Sequence, residues 1–453
     1  MPTLSYAPKI PVKYDVDVFV AGGGPSGLAA AIVAAREGAR VFLAEGSACF
    51  GGMGTAAGLP MFCSPTDGVN FTTAGFATEV YQRLVAAGGT APETRGKAIG
   101  TFGFYYNPEV LKRVYDDLAA ESSIRFSFLT QFLDVCRDGG RLEHAVCAAK
   151  SGLFAVKAQL FVDATGDGDL CARAGAPFEK GDGSGEMQPP TLLSLWCDID
   201  WQRANAAGHG IWQQEKEIPR AFADKLFTVE DRHLPGMIPI GPHAGWGNIG
   251  HLFGTDGTDE TSLTAALVRG RRLLLEYERF YKEYLCGFER MQLLGTGALL
   301  GVRETRRILG DYVLNLADFK RRAVFADEIG RFSYPVDLHA TRPDRETFEK
   351  FEREFAELRY QPGESYGIPF RTLLPRTLEN VLVVGRCISC DRHIQGSVRV
   401  MPACFLTGQA AGVAAARAAA KRVAPRELDI REIQASLLRL GAYLPNAGPC
   451  AEN

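Results

Sequence analysis

Residues 16–38 read VDVFVAGGGPSGLAAAIVAAREG. The opening VDVFVA is largely apolar and β-branched, the pattern of a strand buried on both faces of a parallel sheet. Three glycines follow it. Pro25 then suits the first turn of a helix, and Gly38 suits the left-handed residue after the last turn. The next stretch, ARVFLAE (residues 39–45), reads as a second strand ending on Glu45. Strand, Gly-rich turn, helix and strand make a βαβ unit, which predicts an α/β protein. The spacing Gly22-x-Gly24-x-x-Gly27 lets a pyrophosphate approach the backbone at a helix N-terminus, and an acid at the next strand end accepts ribose hydroxyls. Dinucleotide binding is therefore expected at Gly22, Gly24, Pro25, Ser26, Gly27 and Glu45.

Outward from this unit, residues 108–122 have a helical period, and 124–163 read as short strands with Gly-rich turns, closing on LFVDATGDGD. From about 176 to 375 aromatic residues increase, and five of the seven histidines occur (209, 233, 243, 251 and 339). Helices are predicted there over 261–293 and 344–358, the second a solvated amphipathic one. LENVLVVGR (378–386) reads as another buried strand, leading through a loop to the small-residue helix PACFLTGQAAGVAAARAAA (402–420). The expected organisation is a nucleotide-binding domain over 1–175, a second domain inserted over 176–375, and a return to the first domain over 376–453.

Composition narrows the function. Of 453 residues, 46% are hydrophobic and 23% charged, which fits a globular protein and not a disordered one. Fifty basic and 53 acidic residues leave a net charge of -3 with no basic block, which argues against nucleic-acid binding. Eleven scattered cysteines do not form a disulfide framework and suggest a reducing compartment. The start, MPTLSYAPKIPVKYD, has no signal-peptide pattern, and no apolar run of about 18 residues occurs. A cytoplasmic protein with no membrane partner is expected; the oligomeric state stays open.

Three further segments bear on the cofactor: Gly46 with Gly51-Gly52-Met53-Gly54-Thr55; Ala164-Thr165-Gly166-Asp167; and Val384-Gly385-Arg386 followed by Pro402 and Gly408-Gln409-Ala410-Ala411-Gly412. In this order they resemble FAD enzymes of the glutathione-reductase-like superfamily. The finer pieces GGMGTAAGL, GVRETRRILGDY, SYPVDLH, YGIPFRTLLP and GRCISCDRHIQGSVRVMPACFLTGQAAG are similar to the FAD-dependent oxidoreductase family, and more distantly to fumarate-reductase flavoproteins. The resemblance implies a Rossmann-like FAD domain in a three-layer ββα arrangement with an inserted α+β substrate domain. It adds Gly46, Gly52, Met53, Gly54, Thr55, Val135, Ala164, Thr165, Gly166, Asp167, Gly385, Arg386, Arg399 and Cys404 to the FAD contacts. Several fumarate-reductase relatives attach flavin to a histidine near the glycine pair. Here the first histidine is His144, and Cys49 and Cys63 read as small core residues, so non-covalent FAD is expected.

Hydride transfer to or from a flavin needs a second group to handle the substrate proton, a task suited to histidine, while arginine orients a carboxylate or an oxyanion. The expected catalytic residues are His393, Arg399, His339 and Arg371, within the ground from Asp391-Arg392-His393 to Arg399. Tyr366, Arg303 and Arg306 are contributors, and Asp337 is a local partner of His339. Arg303 and Arg306 equally suit ion pairs with Glu304 or Asp311. The helix near Pro402 offers its positive dipole end to reduced flavin. Cys387-x-x-Cys390 is the sole CxxC, but disulfide reductases of the superfamily carry their redox pair soon after the glycine pair and have a second nucleotide fingerprint. Gly295-x-Gly297-x-x-x-Gly301 has the wrong spacing for one, so the two thiols read as packing. The expected function is hydride transfer between a small organic substrate and FAD, with an electron donor or acceptor not identified by the sequence. The alternatives are an NAD(P)H-dependent flavin monooxygenase and a flavin-binding accessory protein without turnover.

Overall fold

β1 (Val12–Ala21) lies between β2 (Val41–Ala44) and the long strand Gly152–Asp163, parallel to both. This computed structural model describes residues 9–90, 103–211, 213–232, 236–355 and 358–447. Arg125–Ser127 extends the parallel sheet beyond β2, and Val381–Val383 pairs with the far end of Gly152–Asp163. The near end of that long strand pairs antiparallel with Arg141–Ala149, which pairs in turn with Gln131–Asp138. One strand thus belongs to both the parallel sheet and a β-meander.

Side-chain alternation sorts the layers. Val18, Val20, Leu43, Leu160 and Val162 face a core shared with α1 (Pro25–Arg36) and the helix Met401–Lys421. Phe19, Ala21, Phe42, Phe161 and Val383 face the meander residues Phe154 and Val156, with Phe132 and Val135 packed at the edge. Helices, parallel sheet and meander form the expected ββα layers. Burial on both faces explains why β1 and β2 read as continuous apolar runs. The helices α1 and Met401–Lys421 lie in close contact because their contact residues are small. A Cβ added at Gly408 would lie 2.2 Å from the Ser26 carbonyl oxygen, and one at Gly412 would lie 2.6 Å from that of Ala30. Those two glycines therefore serve helix packing.

A second core gathers residues between Leu192 and Val302. Its antiparallel sheet runs in the order Gly236–Gly241, Ala244–Asn248, Ser194–Cys197, Gln292–Thr296. The helix Glu260–Tyr284 packs Tyr277, Phe280 and Tyr281 into the same core as Trp196 and Phe288. This helix stops short of the expected 293. Gly287 turns the chain at φ +91°, and a Cβ there would sit 2.5 Å from the Asp200 carbonyl oxygen. Within the expected insertion 176–375, residues Leu314, Phe319, Ile329, Phe332, Tyr334, Tyr366 and Ile368 join the first core instead. The helix Arg345–Phe355 has no buried residue among those described, as its charged pattern predicts. Among the described residues, no helix is long and apolar enough to cross a membrane.

Candidate active site

The glycine loop divides its labour. Gly22 stands at φ +97°, and a Cβ there would lie 2.5 Å from the Ala164 carbonyl oxygen. A Cβ at Gly27 would lie 1.9 Å from the Gly22 carbonyl oxygen. These two glycines keep β1, α1 and the turn at Ala164 in contact. Gly24 differs: its φ is an ordinary -64°, and a Cβ would meet nothing within 4 Å. The nearest atom to a Cβ on Gly52 is the Gly24 Cα, at 3.5 Å. Beside this open notch α1 begins with no side chain capping its first turn. Uncapped N–H groups at the positive end of a helix, faced by open space, fit a pyrophosphate.

Most of the other segments expected to contact the cofactor pack around the notch. Buried Glu45 accepts from the Gly23 and Ser47 amides, each at 2.6 Å. A carboxylate offers about four acceptor positions, which leaves capacity for a ribose. Gly46 lies against the Gln131 amide group. Gly52–Gly54 form a short 3-10 turn that also carries Met53, closed where the Thr55 hydroxyl donates to the Phe50 carbonyl. A Cβ at Gly54 would lie 2.7 Å from Met401 Sδ, at the start of the helix Met401–Lys421, which also has no side-chain cap. A Cβ at Gly385 would lie 2.6 Å from Ser26 Oγ and 3.7 Å from Cys404 Sγ. Burial pushes the Cys404 thiol up to about 12. Arg386 donates from Nε to the Gly166 carbonyl at 2.9 Å, from Nη1 to that of Val302 at 2.8 Å, and from Nη2 to Asp167. Ala164 N donates to the Ala21 carbonyl at 2.9 Å, and the Thr165 hydroxyl donates to Asp163 at 2.8 Å. Val135 stands apart, packed on the meander face of the sheet.

A second cluster is built around Asp337. Arg399 Nη2 donates to the Asp337 carbonyl at 3.0 Å and to its carboxylate at 2.9 Å. The Tyr334 hydroxyl donates to the same carboxylate at 3.0 Å. The other carboxylate oxygen lies 3.6 Å from His339 Nε2. His339 Nδ1 is 2.8 Å from His251 Nε2, and His251 Nδ1 is 3.0 Å from Asp231 Oδ1. Buried Arg303 donates from Nη1 to the Pro189 carbonyl at 2.7 Å and to the Thr191 hydroxyl at 2.9 Å. Burial, then the neighbouring Arg399, depress Arg303 from the ordinary arginine range to about 9, so it stays charged at neutral pH. Arg399 Nε is buried and has no hydrogen-bond partner among the described residues. Burial, then the Asp337 carboxylate, push the nearby Cys63 thiol up to about 12.

Of the residues expected from sequence, His339, Arg399, Arg303 and Asp337 come together here. His393 and Arg371 do not. The expected loop after Asp391 is a short helix, Arg392–Val398, because the Asp391 carboxylate caps it by accepting from Ile394 N at 2.8 Å. That helix places His393 4.0 Å from the Glu354 carboxylate, toward the surface helix. Arg371 pairs with Asp327 at 2.9 Å and is 47% exposed. Arg306 pairs with Asp169 at 2.7 Å, whereas Glu304 takes Arg307 and Arg392. The buried Tyr366 hydroxyl shares a hydrogen bond with Ser397 Oγ. Sequence reading missed His251 and Asp231, because nothing in their spacing distinguishes them from other polar residues of the inserted segment. Cys387 and Cys390 are free buried thiols in different cores, and burial raises both.

Residues 17–437 match the family described as FAD dependent oxidoreductase. The chain belongs to that family. As an FAD dependent oxidoreductase it uses FAD, which when bound supplies a ring that accepts or gives up a hydride equivalent. None of the curated proteins matches this oxidoreductase. Among solved structures, it is similar to a geranylgeranyl bacteriochlorophyll reductase-like protein from Thermoplasma acidophilum, at 13% identity over 94% of this chain and 83% of that one, with a TM-score of 0.47. A flavin-dependent brominase has 13% identity, the same coverages and a TM-score of 0.46. The myxobacterial chondrochloren halogenase has 15% identity over 94% of this chain and 79% of its own, with a TM-score of 0.47. Likeness this slight carries no chemistry across to this oxidoreductase.

Proposed function

We propose that this oxidoreductase moves hydride between a small organic substrate and non-covalently bound FAD, with His339 handling the substrate proton and Arg399 and Arg303 holding a substrate oxygen. The carrying observation is the buried Arg399 Nε, which has no hydrogen-bond partner among the described residues although the cluster around it is otherwise densely bonded. A buried donor left unsatisfied costs roughly 1–3 kcal/mol, a cost that a ligand oxygen relieves. Two neighbouring guanidinium groups, Arg303 buried and Arg399 largely so, face the carboxylates of Asp337 and Asp231 and offer donors to a carbonyl or carboxylate oxygen of the substrate.

In the oxidising direction an alcohol or amine loses a hydride and a proton. His339 Nε2 takes the proton, and it returns the proton in the reverse direction. Asp337 is held by Arg399 and Tyr334, so it orients the arginine while standing 3.6 Å from the histidine nitrogen. The cofactor is held by Gly24, Pro25, Ser26, Glu45, Gly46, the turn Gly52–Thr55, the turn Ala164–Asp167, Gly385, Arg386 and Cys404. The substrate lies where the second core, which brings His251 and Arg303, meets the first, which brings Tyr334 and Arg399. This supports residues of the inserted sheet as a substrate domain.

The test is bleaching of the bound flavin by a metabolite panel under anaerobic conditions, followed by the same assay on His339→Gln. A substrate that bleaches wild type, with the variant slowed about 10²–10⁴-fold and still yellow, supports the reading. NAD(P)H-linked oxygen consumption without anaerobic bleaching by any organic substrate replaces it with a monooxygenase. A flavin spectrum unmoved by every donor and acceptor replaces it with an accessory protein.

A further inference from the structure

Asp231 and His251 lie behind His339, outside the cofactor cradle. We propose that they are positioning residues that fix the tautomer of His339, placing its proton on Nδ1 and leaving Nε2 as the basic atom on the side of Asp337 and Arg399. The inference rests on the proton-handling role given to His339 above.

Asp231 grips His251 twice: Oδ2 accepts from the His251 backbone N at 2.8 Å, and Oδ1 faces ring Nδ1 at 3.0 Å. Both residues are buried, at 7% and 5% exposure. An ionised carboxylate only accepts, so the proton of His251 sits on Nδ1. In neutral His251 the other nitrogen, Nε2, is then an acceptor. It faces His339 Nδ1 at 2.8 Å, so His339 Nδ1 must donate. Neutral His339 can carry only that one proton, and its Nε2 keeps a lone pair. The backbone holds both rings in place. Gly250 turns at φ +77°, and a Cβ there would sit 2.6 Å from the Tyr277 ring, which sets where His251 enters the core. The His339 backbone N is fixed separately by donating to Gln188 Oε1 at 3.2 Å.

The arrangement also has somewhere to put a charge. A proton taken at His339 Nε2 forms one N–H bond. Transfer of the Nδ1 proton to His251 Nε2 breaks one N–H bond and forms another, with no electrons exchanged. The positive charge then rests on His251, 3.0 Å from the Asp231 carboxylate. Asp231 stands 3.0 Å from His251 Nδ1 and Asp337 stands 3.6 Å from His339 Nε2, so each ring of the pair has a carboxylate beside it.

The experiment is a long-range 1H–15N correlation of the FAD-loaded, 15N-histidine-labelled protein at mildly alkaline pH, with signals assigned through His251→Gln and His339→Gln. In the wild type both rings are expected in the Nδ1-protonated form. Asp231→Asn, whose amide can also donate, should convert part or all of both rings to the Nε2-protonated form while FAD stays bound. If that variant does not fold, His251→Phe removes the acceptor of His339, and the His339 signal should leave the Nδ1-protonated position. Nε2-protonated His339 in the wild type, or unchanged tautomers in the variants, overturns the proposal. The readout needs no substrate, so it is separable from the parent reading: flavin reduction at wild-type rate in His339→Gln removes the catalytic role and leaves the tautomer result standing.

Discussion

Arg399 and Asp337 are joined twice through one nitrogen, with Nη2 donating to the Asp337 carbonyl at 3.0 Å and to its carboxylate at 2.9 Å. The guanidinium is thereby held in one orientation, with its buried Nε free of protein acceptors among the described residues. Replacing it with lysine keeps the charge and loses the planar fork.

Arg399→Lys and Arg399→Ala should therefore both stay yellow yet reduce their flavin with substrate about 10²–10³-fold more slowly. His393→Ala should react at close to the wild-type rate, because His393 faces Glu354 and not the cluster. Anaerobic stopped-flow on the three variants checks this. A large loss in His393→Ala with normal Arg399 variants reverses the assignment.

Gly24 and Gly27 should fail in different ways. Gly24 has φ -64° and open space where a side chain would go, so Gly24→Val should fold and lose FAD. A Cβ at Gly27 meets backbone at 1.9 Å, so Gly27→Ala should lose about 3 kcal/mol or more of stability. Chemical unfolding of the apoproteins and FAD titration separate the two effects. Tight FAD binding by Gly24→Val means the notch does not hold the pyrophosphate.

The Cys387→Ser/Cys390→Ser double variant should keep most flavin reduction. The thiols are 0% and 1% exposed, lie in different cores and are held protonated by burial. A thiol reagent should leave them unmodified in the native protein and label them after unfolding. Complete loss of electron transfer with FAD still bound restores a dithiol role.

Burial raises Asp163 above its ordinary range, against the opposing donors Cys171 N and Thr165. A carboxyl whose folded pKa is raised contributes stability that is fully present below the unfolded value, near 3.8, and is lost as pH rises through the folded value. The stability advantage of wild type over Asp163→Asn should therefore be greatest near pH 4 and shrink toward pH 7. Urea midpoints at the two pH values measure it; an advantage that grows with pH contradicts the raised pKa.

The parallel sheet and the glycine turn were legible in the residues themselves, and the resemblance implied FAD, which the family match bears out. Strands buried on both faces must be apolar, as Val18-Phe19-Val20 and Leu382-Val383-Val384 are, and a backbone that must touch a phosphate or a neighbouring strand must be glycine. Such constraints act within a few residues, so they leave local patterns. The small-residue spacing of Gly408 and Gly412 was equally legible, though packing on α1, and not cofactor contact, is its cause. Which polar residues meet depended on how separate elements pack. Asp231, His251, Asp337, His339 and Arg399 come from distant parts of the chain, and no local period records their convergence. His393 had the same residue type and a plausible position in sequence, but one capping carboxylate, Asp391, wound its segment into a helix that carried it away. Backbone requirements are written locally, whereas a side-chain cluster depends on how separate elements pack.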